Sequence, residues 1–219
     1  MNIYNQLQTT IDVYPLGPLG SGTNVGIIAH GGCGIVIDAP PDTAREILAI
    51  AKEKKIHLQY LFITHSHWDH ITDAPLLKKQ GIKVYAHELD RQILENPEKI
   101  KPEMRSYWNI DRCEVDRVLG DGEKFSACGL DIEALWVPGH VPGGTAYFFR
   151  NQSICFVGDT LFAGTVGRSD LPGGNKHTLF KSIREKLYAL ADGTTIIPGH
   201  GHLTTVGEEK RGNPYVRPR

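Results

Sequence analysis

The chain has 219 residues, 24 Lys and Arg against 25 Asp and Glu, and 40% hydrophobic residues. That length supports one large domain with a full core spanning 1–219, and the mixture is that of an ordinary soluble globular protein. A formal net charge of −1 gives no reason to bind a polyanion, so neither nucleic acid nor a membrane surface is an expected partner.

Val13 to Ile37 contains no Asp, Glu, Lys or Arg other than Asp12 and Asp38 flanking it; its glycines and prolines argue against a spanning helix and predict two short strands, 25–29 and 34–38, joined at His30-Gly31-Gly32-Cys33. Thr43 and Glu46 have capping-box spacing ahead of a helix whose Ala44, Ile47, Leu48 and Ala51 share one face. A strand at 58–64 leads to a histidine-rich loop and a helix over 71–80, stopped by Gly81. A strand follows at 82–87, then a helix at 88–95 ending before Pro97. Residues 96–117 lack periodicity and read as an ordered connector or lid. Strands return at 130–137, 145–149 and 153–157, and a long helix from about Thr178 presents Phe180, Ile183, Leu187 and Leu190 on one face. Gly193 ends it ahead of a strand at 195–197. Lys210, Arg211, Arg217 and Arg219 read as a solvated tail. Mixed βα order predicts an α/β fold.

The four cysteines, Cys33, Cys113, Cys128 and Cys155, form no C-x-x-C pair, and the N-terminus lacks the basic and apolar regions of a signal peptide. Four reduced thiols in a cytoplasmic protein are therefore expected.

The chemistry concentrates at strand ends. His65, His67, Asp69 and His70 follow the apolar run Tyr60 to Thr64; His140, Asp159 and His200 each follow an apolar run ending in Gly. A lone histidine is more often a packed or surface residue, and His30, His57, His87, His177 and His202 keep that reading. Five imidazoles and two carboxylates at four strand ends instead suit divalent cations, because such donors must converge to roughly 2.0–2.2 Å from an ion and so need fixed backbone. Two ions and hydrolytic chemistry are expected, with Zn2+ foremost and iron or manganese as alternatives.

These motifs, with Pro15 to Leu19, Ile35 to Asp38, Gly158-Asp159-Thr160-Leu161-Phe162, Pro198 to Gly201 and Asn213-Pro214-Tyr215, resemble the metallo-β-lactamase-fold hydrolases, and among them the short bacterial glyoxalase II-like (hydroxyacylglutathione hydrolase) branch. The resemblance implies a four-layer αβ/βα sandwich, two mixed sheets flanked by helices. It implies one ion on His65, His67 and His140, a second on Asp69, His70 and His200, and Asp159 between them. It further implies hydrolysis of a small-molecule thioester or related ester by a metal-bridging hydroxide, with Asp69 as the catalytic carboxylate. Arg168, in the glycine-rich segment after Asp159, is a candidate for holding a substrate carboxylate, unless it pairs with Asp170. Only 19 residues follow His200, so contacts that longer relatives make through a C-terminal helical domain are not expected.

Three other readings share the scaffold or its residues. A persulfide dioxygenase would hold a single iron on His65, His140 and Asp159 by the same resemblance. A lactonase would use the same hydroxide. A non-catalytic metal module needs about four ligands and no open position, fewer than the seven donors present.

Overall fold

The computed structural model describes residues 1–18 and 22–218; Leu19, Gly20, Ser21 and Arg219 lie outside the described residues. The first half of the chain builds a sheet in sequence order: β1 (Asn2–Gln6), β2 (Thr9–Leu16), β3 (Thr23–His30), β4 (Cys33–Ile37), β5 (His57–Phe62), β6 (Lys83–His87) and β7 (Arg117–Leu119). Strands β1 to β4 run antiparallel, and β4 to β7 pair in parallel. The β3–β4 turn is Gly31-Gly32, with φ of +55° and +84°, the left-handed pair that a two-residue hairpin demands. The crossovers carry α1 (Ala44–Glu53), α2 (Trp68–Ile71), α3 (Ala74–Lys78), α4 (Glu88–Leu94) and α5 (Pro102–Trp108).

The second half supplies β8 (Glu123–Ala127), β9 (Leu130–Trp136), β10 (Thr145–Phe149), β11 (Ile154–Gly158), the small hairpin β12 (Leu161–Phe162) and β13 (Thr165–Val166), α6 (Lys176–Ser182), β14 (Thr195–Pro198), β15 (Thr204–Thr205) and α7 (Val206–Gly212). The second sheet has the order β15-β14-β11-β10-β9-β8.

Strand alternation produces the layers. Ile35 and Ile37 face the second sheet, where Phe62, Tyr147, Phe149 and Phe156 fill the space between sheets, whereas Val36 faces the helices with Ile47, Leu61 and Leu77. On the far side, Phe148, Cys155 and Val157 pack against Leu179, Ile183 and Leu187. Three apolar cores between helix, sheet, sheet and helix make the four-layer sandwich.

Several local expectations change. Thr43 does not cap α1 with its side chain; its hydroxyl donates to Pro40 O at 2.6 Å, and Asp73 Oδ2 accepts from the N–H of Thr43 and Ala44 at 2.7 Å each. The cap is thus a tertiary contact. The helix expected over 71–80 is two pieces, α2 and α3, with Pro75 in the first turn of α3, where it can neither donate nor continue the preceding helix. The final helix widens to π geometry at Ile183–Leu187, and Leu179 rather than Phe180 joins Ile183 and Leu187 in full burial. The basic tail begins as an ordered helix: α7 carries a capping box between Thr205 and Glu208, and Lys210 pairs with Asp192 at 2.6 Å. Strand β8 had no counterpart in the sequence reading; its alternation is short and only Phe125 and Ala127 are buried.

The cysteines also depart from expectation. Cys33, at the start of β4, and Cys128, in the β8–β9 turn, form a disulfide across 95 residues, tying the two sheets together. Sequence spacing carries no signal for so distant a pair. Cys113 and Cys155 are buried free thiols, and burial raises the pKa of both, that of Cys113 to about 12.

Closing a loop of this length restricts the unfolded chain, so reduction is expected to lower stability by about 2–4 kcal/mol. Urea unfolding with and without dithiothreitol measures it, and thiol titration of denatured protein should give two groups before reduction and four after. Four titratable thiols before reduction would refute the bridge.

Candidate metal centre

The seven donors are set by the edge where the two sheets meet. At the end of β4, Asp38 adopts a φ of +62°, a left-handed conformation that a non-glycine residue adopts rarely. Its carboxylate accepts from Thr64 N and Thr64 Oγ1, both at 2.7 Å, and from His70 Nδ1 at 2.8 Å. The Thr64 hydroxyl oxygen in turn accepts from His65 Nδ1 at 3.1 Å. Both imidazoles therefore carry their proton on Nδ1 and turn Nε2 towards the centre. His140 is oriented in the same way, donating from Nδ1 to Arg168 O at 2.7 Å.

His200 is placed from the other sheet. Asn24 of β3 donates its side-chain amide to Pro198 O and Gly201 O, both at 3.0 Å, and its backbone N–H to Gly199 O at 2.7 Å. The neighbouring Thr23 hydroxyl donates to Asp69 O at 2.8 Å. A Cβ on Gly199 would run into the Asp159 carboxylate, so glycine there lets the His200 loop close on Asp159.

All seven side chains converge. His65, His67 and His140 form one group, Asp69, His70 and His200 another, and His65, His70 and Asp159 a third, each with its donor atoms within 4.8 Å of one another. Asp159 faces both sides: Oδ2 lies 3.6 Å from His140 Nε2, and Oδ1 lies 3.6 Å from Nε2 of His70 and of His200. His67 Nδ1 and His140 Nε2 are 2.9 Å apart, near the roughly 3.3 Å edge of a tetrahedron with 2.0–2.1 Å metal–nitrogen bonds. His65 Nε2, His70 Nε2 and Asp159 Oδ1 are buried without a hydrogen-bond partner. Buried polar atoms are rarely left so, and divalent cations would satisfy all three. The donor set fits such ions.

Without ions, the two groups differ electrostatically. Burial, then the charge of His70, pushes His65 well below the ordinary histidine range, and burial with His140 brings His67 down to about 4. These imidazoles are neutral donors at pH 7. In the other group burial works against charge and loses: Asp38 raises His70 to about 9, the bond to Asp69 raises His200, and the His200 bond with the His70 and His200 charges brings Asp69 down to about 2. A cation entering there displaces protons.

Other expected residues stand apart. Arg168 is exposed and makes a two-pronged pair with Asp170, at 2.9 and 2.8 Å. His87 stacks on Trp136 with centroids 5.4 Å apart, and His30 bonds to Thr9; His202 is exposed. The connector over 96–117 contains α5, whose Trp108 stacks on Trp68, between His67 and Asp69, at 4.2 Å.

Two acidic residues went unread as part of the site. Asp38 had a signal, as the only carboxylate closing an apolar strand before α1. Asp90 had none: it sits in the first turn of α4, buried, with Oδ1 accepting from Ser66 N at 3.0 Å and Oδ2 without a partner. A Cβ on Gly143 would strike its carboxylate. Asp90 thus holds the His65–His67 backbone against the loop after His140, and burial raises its pKa to about 7.

The sequence profile of the metallo-beta-lactamase superfamily matches residues 19–200. The chain belongs to that superfamily. It is 37% identical over 187 residues to "Hydroxyacylglutathione hydrolase GloC" of Haemophilus influenzae, covering 83% of this chain and 86% of that protein. Among solved structures it resembles the BLEG-1 B3 metallo-beta-lactamase, with a TM-score of 0.83, 28% identity, and coverage of 94% of this chain and 99% of that one. It also resembles TTHA1623 in a di-iron-bound form, with a TM-score of 0.77, 32% identity, and coverage of 93% and 100%.

In this superfamily member, Asp38→Asn should weaken metal binding about 10- to 100-fold through the lost orientation of His70. Competition with a chromogenic chelator measures it, and an unchanged affinity would remove Asp38 from the centre. Asp90 makes a second prediction. Its folded pKa, about 7, lies above the ordinary carboxylate value, so the folded state binds its proton more tightly and stability falls as pH rises from about 4 to 7. Asp90→Asn should remove that decline. Parallel stability–pH curves for variant and wild type, from urea unfolding of metal-free protein, would contradict the assignment.

Proposed function

We propose that the protein is a metal-dependent hydrolase of small-molecule thioesters, with an S-2-hydroxyacyl thioester of glutathione as the foremost substrate. The observation that carries this reading is the Asp159 carboxylate, with one oxygen towards His140 and the other towards His70 and His200. The similarity to the Haemophilus influenzae hydroxyacylglutathione hydrolase supports the choice of thioester.

His65, His67 and His140 would hold one divalent ion, and Asp69, His70 and His200 the other, with Asp159 between. Such ions supply a water acidified towards neutral pH and an electrophile for a carbonyl oxygen. With Nδ1 of His65, His70 and His140 engaged by Thr64, Asp38 and the Arg168 carbonyl, each of these rings would present Nε2 to an ion, His70 after losing its second proton. Asp69 remains ionised far below neutral pH and can accept a hydrogen bond from the attacking water, orienting it. The imidazole donors favour zinc, and the di-iron-bound relative keeps iron as an alternative.

His65→Ala and Asp159→Ala should each lower bound metal below two ions per chain and reduce thioester turnover about a thousandfold or more. Metal analysis and an S-D-lactoylglutathione assay test both, with dichroism checking the fold. Full thioesterase activity after exhaustive chelation would sink the mechanism. One iron per chain with oxygen uptake on a persulfide, and no thioester turnover, would replace it with an oxygenase.

A further inference from the structure

A cavity of about 490 Å3 opens beside the centre, with His67 and Asp69 in its lining. Its size is that of a small-molecule site. Leu89 and Ile93 of α4, Ile100, Val141 and Leu171 make much of its surface apolar, and Lys99 and Lys101 line it together with the buried Asp90. Both lysines are exposed, and neither ammonium has a hydrogen bond or ion pair among the described residues. Arg168, whose carbonyl accepts from His140, is already held by Asp170.

The combination is specific. Apolar walls reward a hydrocarbon chain and give nothing to a charge. Two unpaired ammonium groups on flexible stems attract an anion and are not neutralised by a neighbouring carboxylate. The donors that would hold the reacting group are in the same cavity. We propose that this cavity binds the chain of an anionic acyl thioester, its methylenes along Leu89, Ile93 and Ile100 and its carboxylate at Lys99 and Lys101, with the reacting carbonyl near His67 and Asp69. The proposal rests on the thioesterase reading above and names the charge of its substrate. Lys99 and Lys101 are then residues of substrate selection, supplied by the connector between α4 and α5.

Three thioesters of similar length separate the possibilities. S-hexanoyl-N-acetylcysteine carries a carboxylate in its thiol half, S-adipoyl-N-acetylcysteamine carries one in its acyl half, and S-hexanoyl-N-acetylcysteamine is neutral. In metal-loaded protein, K99E/K101E should lower kcat/KM for at least one anionic substrate roughly 10- to 50-fold, through KM, by reversing two nearby charges. The neutral substrate should change less than about twofold, and K99R/K101R should keep wild-type selectivity. Raising ionic strength should increase KM for the anionic substrate alone. Whichever anionic substrate responds identifies the half that occupies the cavity. Equal losses on all three substrates, or no loss on any, would overturn the proposal. If no thioester turns over, the hydrolase reading fails by itself. Calorimetric binding of the corresponding non-hydrolysable thioethers to wild type and K99E/K101E then decides the cavity's charge preference by the same comparison.

Discussion

The site depends on one buried carboxylate. Asp38 is almost fully enclosed, and a charge in that position is unfavourable by several kcal/mol unless donors replace water. Three do so: the backbone N–H and hydroxyl of Thr64 and the imidazole of His70. The same three bonds fix the end of β5, the tautomer of His70 and, through the Thr64 hydroxyl, the ring of His65. One anion thus sets two donors, His65 and His70, that meet at Asp159. The left-handed backbone at Asp38 has a clear physical role, because it turns the carboxylate off the strand and into the seam between sheets.

That seam explains why residues distant in sequence meet. Thr64, at the end of β5, accepts from Thr145 N at 2.8 Å, and Asn24 reaches across to the loop carrying His200. Backbone bonds of this kind register one sheet against the other, so strand ends from both arrive at a common edge. Helix α7 extends the bracing. Its buried Glu209 accepts from Gly164 N and Thr204 Oγ1, and Asn213 donates to Thr165 O, which pins the hairpin that follows Asp159. The C-terminal residues therefore support the centre from behind without contributing a donor to it.

The edge of the sheets is also where loops are free to differ. The His65–His70 loop is held by buried bonds, whereas the connector carrying Lys99 and Lys101 meets the site through the Trp68–Trp108 stack and the apolar packing of Ile100 and Trp108. The donors and the cavity wall belong to different elements. Chemistry needs fixed ligand geometry, and recognition of a flexible substrate tolerates movement.

By itself the sequence singled out the seven side chains that converge, the α/β alternation and many of the strands, because His65 to His70 and the Gly-ended runs before His140, Asp159 and His200 are local patterns with a local physical meaning. The helix carrying Ala44, Ile47 and Ala51 was legible for the same reason. Long-range pairing was not. Asp73 replaced the expected Thr43 cap, Cys33 found Cys128 on the facing sheet, and Asp90 came to hold Ser66. The T-x-x-E pattern at Thr205 and Glu208 shows the converse, since a true capping box lay in a segment read as tail. Local backbone preference extends only a few residues along the chain, whereas the partner of a buried carboxylate or thiol is chosen by whichever strand or helix packs against it, and only the assembled layers decide that.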